Sequence, residues 1–515
     1  MTPAEPTVDA ARGPLLVVAA LRSEYAALAG RVAGARLERC GMGPARVAAW
    51  LAARPDAPPP GAVAVAGVAG GLDPSLRPGD VVVASEVRGT AGRVALRAAA
   101  PLVAELRRLG LRVRYGPVLT TDTLVGGPDE RERLAATGAL AVDMESAPLA
   151  RAFAERAPGV PVAVVRVVVD TATVPVFRAA TVGNGVRALR TLRRLGPALD
   201  AWARLAGPRS VVLAEPRSFC AGVERAIDIV DLALQRYQHP VYVRRQIVHN
   251  AHVVRDLERR GAVFVDELGE VPDGTTVVFS AHGVAPAVRD EAARRDLFVI
   301  DATCPLVAKV HAEARRFAAR GDTVLLIGHD GHDETEGTLG EVPGRITLVQ
   351  SPAEAEQVAV ADPGKVSFLM QTTLAVDEAA DTVDVLRRRF PAVESSATDD
   401  ICYATTNRQQ AVREVAVDAD VVIVVGSRNS SNSLRLVEVA QRAGTAAHLV
   451  DDATELAPEW LTGARRVGVT AGASAPPHLV DEVVGTLQAL GPAEVTERVH
   501  TREDITFTLP KGVVG

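Results

Sequence analysis

Short runs of apolar, often β-branched residues alternate along the chain with segments whose apolar residues recur every three or four positions. The first pattern is typical of buried strands and the second of amphipathic helices. Their alternation predicts an α/β fold with mostly parallel sheets. The predicted strands are Leu15–Ala19, Ala62–Ala66, Val81–Ala84, Val162–Val169, Val211–Ala214, Thr276–Ser280, Phe298–Ile300, Thr323–Ile327, Val421–Val425 and Val467–Val469.

A change of pattern near residue 207 divides the chain into two halves. Apolar residues at helical spacing predict a helix over Leu189–Leu205, which Gly196-Pro197 should kink or split. Gly207-Pro208 ends this helix, and a strand follows. A chain of 515 residues is also long enough for more than one folding unit. We therefore expect one domain over residues 1–207 and a second over residues 208–515.

Charge and composition exclude several classes of function. The net charge is −6 and is spread without long runs of one sign, so no basic surface predicts binding to nucleic acid or membranes. The N-terminal segment lacks the basic start and apolar core of a signal peptide. The apolar run from Leu15 to Leu21 is shorter than the ~20 residues that span a bilayer. These features predict a soluble, cytoplasmic protein.

Three cysteines of the second half, Cys220, Cys304 and Cys402, each lie near a strand-to-loop transition. They are 84 and 98 residues apart, which matches neither zinc fingers nor ferredoxins. Gly222 and Pro305 indicate helices that begin beside the first two cysteines, and a helix N-terminus favours a thiolate or a cluster sulfide. The three thiols could hold one [4Fe–4S] cluster with one iron free of protein ligands, or could be unrelated buried thiols.

Polar loops after predicted strands supply further candidates, because ligands of open α/β sheets bind at the carboxyl ends of strands. The loops Gly426–Ser433 and Thr470–Ser474 offer hydroxyls, carboxamides and backbone N–H groups, which can hold a phosphate. Ordinary helix capping is the alternative, but seven polar residues among the eight of the first loop exceed that need. Four histidines occupy similar loops: His249, His282, His329 and His332.

Nine stretches of the second half occur in the order of one known family: FCAGVERAI, IVHN, FSAHGV, IDATCPLVAKVH, IGHDGHDETEGTLG, QTTLAVD, DDICYATTNRQ, VVGSRNSSNS and TAGASAP. This half closely resembles the LytB family of 4-hydroxy-3-methylbut-2-enyl diphosphate reductases, which serve the methylerythritol phosphate pathway of isoprenoid synthesis. The resemblance implies a trefoil of three similar α/β modules around a central [4Fe–4S] cluster. It also implies an oxidoreductase that removes the substrate hydroxyl to give isopentenyl or dimethylallyl diphosphate, with reduced ferredoxin or flavodoxin as electron donor.

The resemblance also implies roles for individual residues. Cys220, Cys304 and Cys402 would hold the cluster, and Glu334 would deliver protons. The residues that would bind the diphosphate are His249, His282, Ser430, Ser431, Asn432 and Ser474, and those beside the substrate hydroxyl are His332 and Thr372.

One local departure from the family lies next to the proton donor. Asp333 and Thr335 stand where proline and valine are usual. Because His332 and Glu334 are retained on either side of Asp333, we expect the role of Glu334 to be unchanged.

The first half contains GMGP, GVAGGL, TDT, VDME and VRVVVD in that order. In this order the motifs resemble the purine nucleoside phosphorylase and nucleosidase superfamily, whose fold is an α/β domain. The resemblance implies that Glu145 binds ribose hydroxyls, that Met144 packs on the sugar and that Asp170 acts as general acid. Glu24 aligns with the glutamate that activates water, and a paired acid and base suits N-glycosidic cleavage. The alternative is that these carboxylates only cap or pair, and Cys40 is expected to have no ligand role.

Three hypotheses follow for the whole chain. It is a reductase with a second activity that cleaves N-glycosidic bonds, a reductase with a non-catalytic nucleoside-binding module, or a non-catalytic iron–sulfur sensor. Glu334 and the diphosphate residues argue against a sensor, which would not need them. Glu24, Glu145 and Asp170 favour the first hypothesis over the second.

Overall fold

A computed structural model describes residues 13–54, 58–171, 179–237, 240–510 and 512–513. Residues 1–12, which belong to the N-terminal segment without signal-peptide features, lie outside the described residues. The chain forms two compact units. The first comprises Met1–Val211, Asp452–Val467 and Asp481–Val495, and the second comprises Val212–Asp451, Gly468–Val480 and Thr496–Gly515.

The described residues before position 209 form one mixed sheet of eight strands in the order β2-β1-β3-β7-β6-β4-β5. The last strand, β8, pairs with both β3 and β4, so it closes a ring of five strands. The strands are β1 Leu15–Ala19, β2 Arg36–Arg39, β3 Ala62–Gly71, β4 Val81–Gly89, β5 Gly92–Ala95, β6 Val113–Thr120, β7 Ala141–Asp143 and β8 Val162–Asp170. The helices are α1 Arg22–Leu28, α2 Pro44–Ala52, α3 Ala100–Arg108, α4 Pro128–Ala135, α5 Ser146–Arg156, α6 Ala179–Arg193 and α7 Gly196–Ala203.

Gly196-Pro197 splits the predicted helix, as expected from the missing N–H group of proline. Helix α6 ends at Arg193, and α7 begins at Gly196 with proline in its first turn, where no N–H partner is lost. Trp202 of α7 is fully buried, and its Nε1 donates a hydrogen bond of 2.7 Å to Ala98 O.

The described residues from 209 onward form three further sheets, with strand orders β11-β10-β12-β13, β15-β14-β16 and β18-β17-β19-β9-β20. The strands are β9 Arg209–Glu215, β10 Val241–Arg244, β11 Ala262–Val265, β12 Thr276–Phe279, β13 Phe298–Asp301, β14 Thr323–Ile327, β15 Ile346–Val349, β16 Val366–Met370, β17 Val421–Val425, β18 Ala446–Val450, β19 Arg466–Ala471 and β20 Ala493–Val499. The helices are α8 Ala221–Arg236, α9 Ala251–Arg259, α10 Pro286–Arg294, α11 Pro305–Ala319, α12 Asp333–Leu339, α13 Pro352–Gln357, α14 Val376–Arg389, α15 Tyr403–Ala416, α16 Ser431–Arg442, α17 Pro458–Leu461 and α18 Pro477–Ala489.

These sheets confirm the predicted α/β alternation and the three-part organisation. The strand Val421–Val425 is buried at all five positions, as expected for a parallel strand covered on both faces. Strand β10 pairs in parallel with β11 and β12, and β12 with β13. Strand β14 pairs in parallel with β15 and β16, and β17 with β18. Across the described part of the chain, no helix combines the length and the apolar character needed to cross a membrane.

Candidate active sites

Each of the three cysteines is the residue immediately before a helix. Cys220 is the N-cap of α8, Cys304 of α11 and Cys402 of α15. Cys402 Sγ accepts a hydrogen bond of 3.3 Å from Thr405 N, and the Thr405 hydroxyl lies 3.1 Å away. Each cysteine therefore stands at the positive end of a helix dipole, a position that favours thiolate and sulfide charge.

The first two sulfurs face the same small space above Gly222. A Cβ atom added to Gly222 would lie 2.8 Å from Cys304 Sγ and 3.8 Å from Cys220 Sγ. Burial is the main cause of the raised pKa of Cys402, and the thiols of Cys220 and Cys304 add to the shift, so the three cysteines lie within electrostatic reach of one another. The structure therefore brings together three cysteines that are far apart in sequence.

The backbone ties each cysteine to a loop that carries a candidate substrate residue. Cys220 N donates to Ala473 O, next to Ser474, and Cys304 N donates to Ala281 O, next to His282. Cys402 N donates to Thr372 O. The distances are 3.2, 2.9 and 3.1 Å. One backbone hydrogen bond in each of the three sections thus fixes a cysteine relative to a loop with a candidate residue.

Burial raises the pKa of two of these thiols, that of Cys304 to about 11 and that of Cys402 to about 12. A metal ligand must be a thiolate, so loading of iron at these thiols would release protons.

Gly222 offers a test of the shared space. In Gly222→Ala the new methyl group would be too close to Cys304 Sγ, so we expect iron and sulfide content per chain to fall while the chain stays folded. Alanine suits this helical position, because it has the highest helix propensity. The control is Gly269→Ala, where an added Cβ meets nothing within 4 Å. Normal iron content in Gly222→Ala would contradict a cluster in this space.

Three histidines from separate loops form one group. The rings of His249 and His282 stack with centroids 3.9 Å apart, and His332 meets them edge-on at 5.2 and 5.8 Å. Burial lowers the pKa of His249 and of His282, and it lowers that of His332 to about 4. Neutral imidazoles each offer one N–H donor, which suits an anionic ligand. His329 does not join the group, since its Nε2 lies 2.8 Å from Arg435 Nη2.

Asp333 borders this histidine group, which sequence reasoning did not foresee. Its Oδ2 lies 3.9 Å from His249 Nε2 and 3.8 Å from His282 Nδ1, and these three side chains form a set that could hold a metal ion. Its Oδ1 accepts a short hydrogen bond from Arg245, which also pairs with Glu336. Arg245 has a positive φ of 56°, a conformation that favours glycine. The departure from the family pattern therefore adds a charged contact between Arg245, just after β10, and the first residue of α12.

The predicted phosphate loop begins α16. Ser430 is the N-cap, and its Oγ lies 3.0 Å from Ser433 Oγ and 3.3 Å from Ser474 Oγ. Ser474 Oγ also donates to His249 O at 3.0 Å. Ser431 follows as the first residue of the helix. The hydroxyls of Ser430 and Ser474, from two different loops, thus meet beside the backbone of His249.

Asn432 links the phosphate loop to the third cysteine. Its Oδ1 accepts a hydrogen bond of 2.9 Å from Ala473 N, and its Nδ2 donates to Thr405 Oγ at 3.3 Å. Thr405 in turn contacts Cys402. Thr405 and Ser433 lacked a signal of their own in the sequence, because threonine and serine near a helix start are usually simple caps.

Glu334 and Thr372 form a buried pair. Thr372 N donates to Glu334 Oε1 at 2.7 Å, and the Thr372 hydroxyl donates to Oε2 at 2.9 Å. Burial raises the pKa of Glu334 to about 7, although these two hydrogen bonds act in the opposite direction. Glu334 N also donates to His332 Nδ1 at 3.2 Å. A carboxyl group with such a pKa can give up a proton near neutral pH.

A cavity of about 170 Å³ lies in the first unit, and all the acidic candidates of that half line it. Glu24 is 1% exposed, and its two oxygens accept hydrogen bonds from Ala20 N, Leu21 N and Val68 N at 2.7–2.9 Å. Met144 also lines the cavity. The structure therefore brings the predicted residues of the first half to one concave site.

Glu145 and Asp170 each face an arginine. Glu145 Oε1 accepts from Gly43 N at 2.8 Å, and Arg166 Nη2 lies 3.7 Å from its Oε2. Burial raises the pKa of Glu145, while Arg166 opposes the shift. Asp170 Oδ2 accepts a hydrogen bond of 2.7 Å from Arg131 Nη2. Sequence reasoning missed Arg131, because a single arginine in a charged helix usually faces solvent.

Comparison with known proteins agrees with the geometry of the second half. A family model described as "LytB protein" matches residues 211–488. The chain belongs to this family. Among its LytB relatives, the 4-hydroxy-3-methylbut-2-enyl diphosphate reductase 2 of Mycobacterium bovis is 56% identical over 323 residues, covering 62% of this chain and 98% of that protein. The reductase of Acidothermus cellulolyticus is 59% identical over 303 residues, covering 59% of this chain and 89% of that protein.

A solved LytB-type structure also matches. The E-1-hydroxy-2-methyl-but-2-enyl-4-diphosphate reductase of Plasmodium falciparum superposes with a TM-score of 0.58 at 34% identity, covering 60% of this chain and 98% of that one. In the first half of this LytB chain, a family model described as "Phosphorylase superfamily" matches residues 27–195. Both resemblances predicted from the sequence are therefore confirmed.

Proposed function

We propose that the second half is a 4-hydroxy-3-methylbut-2-enyl diphosphate reductase, an oxidoreductase that removes the substrate hydroxyl to give isopentenyl and dimethylallyl diphosphate. The observation that carries this proposal is that the Cys220 and Cys304 sulfurs meet at Gly222, while Cys402 is tied by its backbone to Thr372, which holds Glu334. The relatives' names agree with the activity.

The cysteines fit a [4Fe–4S] cluster held by three thiolates. Their sulfurs stand at three helix N-termini, and the glycine at position 222 leaves the space that two of them share. Cys220, Cys304 and Cys402 would hold the cluster. When bound, it would pass on, one at a time, the two electrons that the external donor supplies and the reduction consumes.

The polar residues would bind and orient the diphosphate. The histidines His249 and His282 and the amide of Asn432 would donate hydrogen bonds to its oxygens, with the hydroxyls of Ser430, Ser431 and Ser474. Ser430 and Ser431 stand at the start of α16, where free N–H groups and the helix dipole favour an anion. These contacts would place the opposite, hydroxyl-bearing end of the substrate toward the cysteines.

The reduction takes up two electrons and two protons. Glu334 would deliver the proton that leaves with the hydroxyl group as water, and the second proton would add to one end of the allylic carbon fragment to give either product. Thr372 holds both of its oxygens, so the carboxyl group keeps one orientation. His332 and Thr372 would line the space beside the substrate hydroxyl. Burial of this pair would keep bulk water from competing as a proton source.

The raised pKa of Glu334 predicts a pH dependence. A proton donor acts in its neutral form, and this form persists up to about pH 7, so kcat/KM should be level below pH 7 and fall about tenfold per unit above it. Two nearby charged groups also affect the pKa of Glu334: His311 lowers it and Asp400 raises it. Thr372→Val removes a hydrogen bond to the carboxylate, so its break in the profile should lie at higher pH. A break at the same pH in Glu334→Gln would contradict the assignment.

Anaerobic purification of the full chain tests the reductase proposal. We expect iron and acid-labile sulfide in the ratio of a [4Fe–4S] cluster, and conversion of the allylic diphosphate when a reduced dye supplies electrons. Reduced ferredoxin or flavodoxin is the proposed natural donor, and each should replace the dye. A cluster-loaded chain that does not convert the diphosphate would overturn the proposal and favour a sensor.

We propose a second activity for the first half: cleavage of an N-glycosidic bond in a purine nucleoside. Glu145 would bind ribose hydroxyls with Met144 against the sugar, Glu24 would activate water, and Asp170 would serve the leaving base. The alternative is a nucleoside-binding module without catalysis. We also propose that the two functions divide at residue 207, with domains over residues 1–207 and 208–515.

Release of free base decides between these alternatives. The full chain should release base from at least one of a panel of purine nucleosides, and Asp170→Asn should lower the rate. No release from any member of the panel would favour the binding module.

A further inference from the structure

Each of the three helices that begin beside a cysteine carries a positively charged residue in its second turn. These residues follow their cysteines by five, five and six positions, and they are Arg225 of α8, Lys309 of α11 and Arg408 of α15. At about 1.5 Å per residue, the backbone of each lies roughly 7.5–9 Å along the helix axis from its cysteine. The three residues therefore occupy equivalent places in the three sections.

The side chain of Arg225 binds the loop of a different cysteine. Its Nη1 donates to Ala302 O and to Thr303 O, both at 3.2 Å. These two residues directly precede Cys304. The helix that begins at Cys220 is thus fixed to the backbone in front of the second cysteine.

Lys309 repeats this link one section further on. Its Nζ donates to Thr398 O at 3.0 Å and to Asp399 O at 2.9 Å, and it lies 3.3 Å from Asp400 Oδ1. These residues stand two to four positions before Cys402. The helix that begins at the second cysteine is thus fixed to the backbone in front of the third.

Arg408 makes the last link. Its Nε and Nη2 donate to Ser218 O at 3.1 and 2.9 Å, and Nη2 also donates to Phe219 O at 3.2 Å. Both carbonyls directly precede Cys220. The side chain is only 1% exposed, so these bonds form away from competing water. With this link the three contacts close a ring, in which no cysteine loop can move without disturbing a neighbouring section.

The three cations differ in how their charge is balanced. Lys309 pairs with Asp400, and Arg408 pairs with Glu503 at 3.0 Å. Arg225 has only backbone carbonyls as partners in the part of the chain that the structure describes, including Thr508 O at 2.8 Å from its Nε. A positive charge without a paired carboxylate therefore stands beside the cysteine loops. Reduction adds negative charge to a cluster, so this cation favours the reduced form.

We propose that Arg225, Lys309 and Arg408 form a closed ring of positioning residues, each of which fixes the backbone in front of the next cysteine. Arg225 also supplies the positive charge that favours reduction. This inference rests on the cluster site proposed above. The three residues act through the cysteines, because their charged groups bind the loops and not the sulfurs. Charge-assisted hydrogen bonds suit this task, since they are about twice as strong as neutral ones.

Iron retention tests the ring at Lys309. The full chain is purified anaerobically and held with a fixed concentration of an iron chelator. Lys309→Met removes one link and should lower the apparent affinity for iron about 10–100-fold, the usual effect of losing a group that supports a ligand. Lys309→Arg should retain iron as the unaltered chain does, because arginine makes the same kind of link at the two other positions. The matched control is Arg316→Met on the same helix, where the side chain is 53% exposed.

The reduction of the cluster tests the charge of Arg225. The loaded protein is poised at a series of fixed potentials, and the reduced fraction is measured by electron paramagnetic resonance. Arg225→Met should lower the ratio of reduced to oxidised cluster at a fixed potential about threefold or more. Arg225→Lys should restore the ratio, since Lys309 binds two carbonyls with an ammonium group. The control Arg236→Met removes the same charge from the exposed end of the same helix.

Folding of each variant is checked by thermal unfolding. If Lys309→Met does not fold, iron retention is measured in Arg225→Met, which breaks another link of the ring and leaves no carboxylate without its cation. The reduced fraction is that of the loaded molecules, so partial loss of iron does not hide it.

Unchanged iron retention in folded Lys309→Met, an unchanged reduced fraction in Arg225→Met, or equal effects of the exposed controls would overturn the proposal. Failure of the charge-retaining variants to restore either property would also overturn it. An unaltered chain without iron and sulfide would overturn the cluster site itself. A loaded unaltered chain with unaffected variants would overturn the ring alone.

Discussion

Glu334→Gln is expected to lower turnover of the allylic diphosphate by about 10²–10⁴-fold, the usual contribution of a general acid. Glutamine has nearly the same shape and can still contact Thr372, but it cannot give up a proton. Iron content, sulfide content and the visible absorption of the cluster should remain those of the unaltered protein. The measurement is kcat with a reduced dye, taken beside quantitation of iron in the same preparation.

Glu336→Gln is the matched control for this substitution. Glu336 lies two positions along the same helix, and its side chain is half exposed and pairs with Arg245. We expect its turnover to stay close to that of the unaltered protein. If Glu334→Gln turns over normally, Glu334 is not the proton donor, whatever the control does.

Cys402→Ala is expected to abolish both the cluster and the reductase activity. The Cys402 sulfur is the N-cap atom of α15 and is held by Thr405, so a methyl group in its place removes a ligand and leaves Thr405 N without its acceptor. Removal of a group that only supports a ligand typically lowers metal affinity about 10–100-fold. Removal of a ligand itself should lower the affinity further, so we expect almost no iron per chain. Iron and sulfide quantitation after anaerobic purification, with turnover measured in parallel, checks this result.

Cys40→Ala provides the comparison within the same chain. Cys40 is also buried, but its Sγ lies 3.6 Å from Ala19 O in the first unit and 3.4 Å from its neighbour Gly41 O. Its replacement should leave iron content and reductase turnover unchanged. A full iron complement in Cys402→Ala would remove the basis of the proposed cluster site.

The alternation of elements could be predicted from the sequence because it depends on local pattern. Leu15–Ala19, Thr323–Ile327 and Val421–Val425 form strands with the predicted bounds, since short apolar runs are buried as whole units. The split at Gly196-Pro197 depends on a missing N–H group, which is also a local property. Strand ends were less predictable: the prediction for β3 stopped at Ala66, but the strand continues through glycines to Gly71.

Resemblance to known families extended this prediction to individual candidate residues, because motifs keep residue types in order along the chain. It indicated Glu334 and its histidine neighbour, and the structure places Thr372 on both oxygens of this glutamate. It did not indicate Asp333 as a neighbour of two histidines, since the family usually has proline there. Nor did it indicate that Arg131 meets Asp170, 39 residues further along the chain.

Residue types, helix starts and the glycine and proline positions were therefore readable along the chain itself. Which side chains meet was decided by the tertiary structure. The sulfurs of Cys220 and Cys304, 84 residues apart, share one space, and Cys402, 98 residues further on, lies within electrostatic reach of both, because strands and helices from different sections end there. The neutral form of Glu334 near pH 7 likewise depends on burial by residues distant in sequence. Local sequence sets the conformation of each segment, whereas distances and desolvation arise only when segments pack against one another.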